Sequence, residues 1–231
     1  MPVIKENLTP VNHKTGGCTP RFIVVHYFGA LGTAAGVADY FKTPGIQASA
    51  HYAVDEGNII YRCVKETDVA WHCGDGTKHP ECRNWNSLGV ELRPKKLNTK
   101  SMGAWDSDWF FDPRTLDNAE WLIRKLMKKY NIPVDRVLRH YDVSGKFCPR
   151  PFMGDDTNLY YHTSGNVQWQ RFKERLVDEV VEKSKMIVNG KEVPVERILK
   201  DGTNYVKVRD IAAALDLEVG NKGNIAVLNS K

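Results

Sequence analysis

A chain of 231 residues with 42% hydrophobic and 26% charged side chains has enough apolar mass for one well-cored domain and a small second one. No unbroken apolar stretch reaches membrane-span length, and a net charge of +5, with a pI near 8.9, is interspersed with Asp and Glu rather than massed, so neither a stable membrane association nor a nucleic-acid partner is expected. Five cysteines (Cys18, Cys63, Cys73, Cys82, Cys148) cannot all pair within the chain; reduced thiols are expected, with a Cys73 to Cys82 bridge left open.

Residues 1–20 are polar and turn-rich and read as an irregular surface arm. The opening Met1-Pro2-Val3-Ile4-Lys5 lacks the apolar core of a secretion signal, so synthesis in the cytoplasm is expected, with any work outside following release. Phe22-Ile23-Val24-Val25-His26 is apolar up to its histidine, as a central strand is. From Thr33 to Lys42, Val37, Ala38, Tyr40 and Phe41 recur at roughly helical spacing and Pro44-Gly45 ends the segment. Strand followed by helix points to a layered α/β domain. Ala50 to Val54 and Ile59 to Cys63 flank Asp55-Glu56-Gly57-Asn58, a hairpin signal. A polar loop after Val69-Ala70-Trp71-His72-Cys73-Gly74 leads to Ser87 to Leu92, another buried strand, with Glu91 near its end. An acid there is paired, solvated at the strand mouth, or engaged in chemistry.

Lys95 to Asp112 reads as a long loop whose Trp105, Trp109, Phe110 and Phe111 either wall a cleft or cover core. Asp112-Pro113 caps a helix to Tyr130 with Leu116, Ala119, Leu122 or Ile123, and Leu126 inward, and Pro133 stops it. Arg136 to His140 reads as a strand, and the turn formers through Pro151 argue against a helix after it. His140 and Cys148, eight positions apart, could converge there with His26. Two imidazoles and a thiol would suit zinc, whose hydrolytic sites use three such ligands and leave the fourth position to water. By spacing alone, strand-end histidines are more often packed or solvated than ligating.

Asn166 to Ser184 reads as a helix with Trp169, Phe172, Leu176 and Val180 inward. Composition changes at Lys185: a hairpin around Asn189-Gly190, a turn at Asp201-Gly202, a strand from Tyr205 and a short helix from Arg209 to Leu215 follow. The expected fold class is α/β, a mixed central β-sheet flanked by helices over residues 1–184, with a small β-rich C-terminal module over 185–231.

Taken in order, Val24-Val25-His26, Ser49-Ala50-His51-Tyr52, Ala70-Trp71-His72-Cys73-Gly74, Ser87-Leu88-Gly89-Val90-Glu91-Leu92, Arg139-His140 and Lys146-Phe147-Cys148-Pro149 resemble the zinc-dependent N-acetylmuramoyl-L-alanine amidases of the amidase-2 class. That group is shared by bacterial autolysins, phage endolysins and peptidoglycan recognition proteins, and the resemblance covers residues 20–152. It implies Zn2+ on His26, His140 and Cys148, Glu91 relaying a proton from water to the leaving amine, and Lys146 facing the developing oxyanion. His51, Trp71 and His72 are then substrate-groove residues, with a structural role as the alternative for the two histidines. Some members carry a tyrosine just before the His51 position; Ala50 stands here, which shifts weight to Glu91.

The reaction so implied is hydrolysis of the amide between N-acetylmuramic acid and the L-alanine of the stem peptide in peptidoglycan. The setting is that of an endolysin reaching the cell wall after release. One alternative is a non-catalytic peptidoglycan-binding protein of the same fold, which would lack the thiol ligand. Another is a structural zinc protein, which would show a fourth protein ligand and Cys-x-x-Cys pairs. The tail resembles the amine-oxidase-type modules of clostridial surface proteins; wall binding, self-association and spacing are all open for it.

Overall fold

The computed structural model describes the chain apart from residues 75, 179–180, 201–202, 223–224 and 231. It divides into Met1–Val177 and Asp178–Lys231. In chain order the first unit contains β1 (Val3–Glu6), β2 (His13–Gly17), β3 (Phe22–Tyr27), α1 (Ala34–Tyr40), β4 (Tyr52–Val54), β5 (Ile59–Arg62), β6 (Asp68–Ala70), β7 (Ser87–Leu92), β8 (Pro94–Lys96), β9 (Trp109–Phe111), α2 (Pro113–Tyr130), β10 (Val137–Arg139), α3 (His140–Ser144) and α4 (Gly165–Arg175).

Six strands build the central sheet in the order β1-β5-β4-β7-β3-β10. The β4–β5 hairpin is antiparallel and every other neighbour is parallel, so the sheet is mixed. Side chains alternate between faces along each strand. Ile23, Val25, Leu88 and Val90 join Ala119, Leu122, Ile123 and Leu126 of α2 and the aromatic group Phe152, Trp169 and Phe172. Phe22 and Val24 face the other way, toward Cys73, Cys82 and Val143, while Ala50, Ala53 and Cys63 lie under Ala34 and Ala38 of α1. Burial on both faces explains why β3 is an unbroken apolar run; each such side chain contributes about 1.5–3 kcal/mol. His26 follows the Phe22, Val24 alternation and so leaves the face opposite α2. Glu91 leaves that same face, in register with it.

Local chemistry fixes the helix ends. The Asp112 carboxylate accepts from the Arg114 N–H (2.9 Å) with Pro113 at the first turn of α2, and Asn131 closes the helix in the left-handed region (φ 52°) two residues before Pro133. Thr33 caps α1 by accepting from Gly36 N–H.

Several expectations are corrected. Residues 1–20 are not an irregular arm, since β1 pairs with β5 and β2 with β6; these are half-exposed edge strands held by backbone bonds, with no apolar run to announce them. Within the segment expected as loop, β8 and β9 pair, with Trp109 and Phe111 buried and the Lys96 ammonium enclosed by Asp106 (2.8 Å) and Asp108. A helix does follow β10: Asp142 accepts from the backbone N–H of Arg139 (2.9 Å) and Gly145 (φ 82°) closes the turn. α4 ends at Arg175 rather than Ser184, because Glu182 to Ser184 are taken up in strand pairing. The inward position expected of Val180 and the turn expected at Asp201-Gly202 lie outside the described residues.

In the second unit, β11 (Glu182–Val188), β12 (Lys191–Lys200) and β13 (Thr203–Val206) form an antiparallel sheet, followed by α5 (Val208–Ala214) and the hairpin of β14 (Leu217–Lys222) with β15 (Ile225–Ser230). Asn189 (φ 51°) and Gly190 (φ 76°) supply the two positive φ values that a tight two-residue hairpin needs.

Candidate active site

Three elements deliver three ligand-type side chains to one point. β3 presents His26 near its end. β10, one strand over, pairs Arg139 with Val25, so His140 leaves the sheet level with His26 as α3 begins. After Gly145 the chain turns back, and the Tyr141 N–H donates to the Cys148 carbonyl (2.9 Å), which returns the thiol over β3. His26, His140 and Cys148 are all buried and offer ligand atoms within 4.8 Å of one another. His26 Nδ1 is 3.9 Å from Cys148 Sγ, and the His26 and His140 rings meet edge-on with centroids 4.6 Å apart.

The donor set fits a zinc-type ion. Burial, reinforced by neighbouring imidazoles and Lys146, holds the His26 pKa well below its usual range, and burial with Lys146 lowers that of His140 to about 4. Both rings are therefore neutral and keep a lone pair. Burial, with Glu91 adding to it, pushes the Cys148 thiol up, so the thiolate forms only beside a cation. Finally, His140 Nδ1 is enclosed with no hydrogen-bond partner among the described residues, an unfavourable state that a ligand would relieve.

Glu91 adjoins this trio. Its Oε2 is enclosed without a hydrogen-bond partner among the described residues, and burial pushes its pKa up to about 8 against the pull of Lys146. Lys146 is exposed, and its carbonyl accepts from the Cys148 N–H (2.7 Å), tying the ammonium-bearing residue to the thiol loop. All five residues line one cleft of about 370 Å³, with Trp71 and the Trp105–Phe147 pair also in its walls. Trp105 is 72% exposed and stacks on Phe147 at 4.1 Å, while its carbonyl accepts from Arg150 (3.2 Å), which fixes that wall.

The three residues expected along the groove separate. Trp71 lines the cleft. His51 is not among the residues that line it: wholly buried, it donates from Nε2 to the Asp68 carbonyl (3.1 Å) and accepts at Nδ1 from the Gly89 N–H (3.0 Å), fastening β4 to β6 and β7, the structural one of its two expected roles. His72 lines the cleft but has its Nδ1 3.1 Å from His26 Nε2, a contact between distant segments that no spacing signals. Cys73 and Cys82 are buried thiols, and all five cysteines are free.

A sequence profile described as N-acetylmuramoyl-L-alanine amidase matches residues 16–151. The N-acetylmuramoyl-L-alanine amidase CwlH of Bacillus subtilis (strain 168) is 35% identical over 161 residues, 66% of this chain and 58% of that protein. XlyA of the same organism is 34% identical over 156 residues, 65% and 47% of the two chains, so this chain spans about half the length of these curated relatives. Among solved structures, the catalytic domain of XlyA is 29% identical at a TM-score of 0.56, over 76% of this chain and 99% of that one. PlyL is 26% identical at 0.58, over 76% and 98%.

Proposed function

Because the chain belongs to the amidase-2 family of N-acetylmuramoyl-L-alanine amidases, we propose that its first unit hydrolyses the amide joining the lactyl group of N-acetylmuramic acid to the L-alanine of the stem peptide in peptidoglycan. The observation that carries this reading is the convergence of His26, His140 and Cys148 in an open cleft beside the enclosed carboxyl of Glu91.

His26, His140 and Cys148 would hold zinc, which when bound supplies Lewis acidity, polarising the amide carbonyl and making water nucleophilic near neutral pH. Glu91 is unpaired at Oε2 and sits where a carboxyl holds or releases its proton near working pH, so it suits uptake of a proton from water and its return to the leaving nitrogen. Lys146 places a positive charge at the cleft, where it offsets the charge growing on the carbonyl oxygen. Trp71 and Trp105 in the cleft lining offer flat apolar faces to the substrate. Position 50 carries a buried alanine, so the proton relay falls to Glu91. The products are a free glycan and a peptide with a new amino terminus, and the bacterial cell wall is the inferred place of action. No described helix is long and apolar enough to cross a membrane. For the second unit we infer an accessory role in wall binding, spacing or self-association.

Digestion of purified sacculi tests the reading. Expected are new alanine amino termini without new reducing sugar ends, release that stops with a chelator and returns with zinc. Reducing ends without amino termini would identify a glycosidase, and binding without release would identify a non-catalytic receptor; either overturns the proposal.

A further inference from the structure

We propose that His72 is a positioning residue that dictates which nitrogen of His26 is free to meet the metal, the last link of a hydrogen-bond chain that starts at the Arg83 carbonyl. The inference rests on the zinc reading of His26, His140 and Cys148.

The direction of the chain is forced from its far end. A carbonyl oxygen only accepts, and Ser87 Oγ lies 2.6 Å from that of Arg83, so the single hydroxyl hydrogen of Ser87 points there. His72 Nε2 lies 3.2 Å from Ser87 Oγ and 3.4 Å from the Ser87 carbonyl; facing two acceptors, it carries the proton. A neutral imidazole protonated at Nε2 is bare at Nδ1, and that atom faces His26 Nε2 at 3.1 Å. His26 must therefore donate from Nε2. Its Nδ1 is left with an exposed lone pair on the side of Cys148, before any ion arrives.

The sequence also makes room for this arrangement. A Cβ on Gly89 would come within 2.7 Å of His72 Cγ and 2.9 Å of its Nδ1, so the ring lies against β7 in space that only glycine leaves. The backbone behind the ring is anchored as well, since Asn84 Oδ1 accepts from the N–H of both His72 (3.1 Å) and Cys73 (2.9 Å). Histidines that hold metals generally donate their other N–H to an oriented acceptor, and removing that acceptor lowers metal affinity about 10–100-fold.

Two measurements test the assignment. The first is the 15N shift pattern of His26 in the zinc-free wild-type protein: a proton on Nε2 and a bare Nδ1 are expected, and the opposite tautomer overturns the inference with no variant needed. The second is zinc affinity by competition with a chromophoric chelator. His72→Leu, which fills the space without an acceptor, is expected to weaken zinc about 10–100-fold, and His72→Asn, whose Oδ1 falls near the Nδ1 position, to recover most of the loss. A His72→Leu protein that binds zinc within about twofold of wild type, or that shows only a raised KM, would make His72 a substrate contact instead. Wild type that binds no zinc would sink the metal reading, while the 15N pattern still reports on the hydrogen-bond chain.

Discussion

Glu91 and His26 are direct neighbours across adjacent parallel strands, their side chains leaving the same face of the central sheet. The carboxyl is thus held beside His26 without belonging to the trio whose donor atoms converge. Glu91→Gln preserves shape and removes the proton acceptor. Turnover of peptidoglycan should fall about 10²–10⁴-fold with zinc content unchanged, measured by amino-terminus release and metal analysis. Undiminished turnover would take Glu91 out of the chemistry.

The same carboxyl shapes stability when the protein is zinc-free. Its folded pKa of about 8 lies above the unfolded value of about 4.3, so folding favours the protonated form. Stability from this group is complete below the unfolded pKa and is lost as pH rises through about 8. Urea midpoints of the zinc-free protein should therefore decline between about pH 5 and 8, and Glu91→Gln should flatten that decline. Equal slopes in both proteins would contradict the assignment.

Cys148→Ala removes one of the three proposed ligands. Wild type should gain about 2.7 kcal/mol of stability at zinc a hundredfold above Kd, and the variant should gain none at that concentration. Thermal unfolding with and without zinc reads this directly, and an equal zinc shift in the variant would exclude the thiol from the site.

Gly89→Ala forces either the His72 ring or β7 to move. Destabilisation of about 1–3 kcal/mol is expected, together with weakened zinc binding. An alanine variant of unchanged stability and affinity would show that the ring has space the structure does not give it.

Lys96→Met leaves the buried Asp108 carboxylate without its cation. The loss expected is about 3–5 kcal/mol, with faster hydrogen exchange concentrated in residues 97–108. Unchanged protection there would mean that the ion pairs do not hold the loop.

What could be read from the sequence follows from what announces itself locally. β3 and β7 are buried on both faces and so appear as apolar runs, and their polar exceptions, His26 and Glu91, stood out for that reason. α3 did not, because five residues carry no periodicity and the turn rests on the Asp142 cap and Gly145. β1 escaped notice because its Val-Ile-Lys-Glu sequence pairs through backbone on an edge. Residues up to Ser184 are good helix formers, yet pairing of Glu182 with Arg197 overrides that propensity. The roles of His51 and His72 are illegible for a different reason: each is a histidine in a short motif, and they are told apart only by which distant atoms, Asp68 and Gly89 or His26 and Ser87, take up their nitrogens.

His26 and Cys148 stand 122 positions apart, and the His140 between them follows β10, the last of the central sheet's strands along the chain. A nascent chain, or a fragment clipped before Cys148, lacks one member of the proposed ligand set whatever else has folded. If the proposed hydrolysis holds, chemical competence is thereby tied to synthesis: shorter products would lack the means to cut, however well their strands had formed.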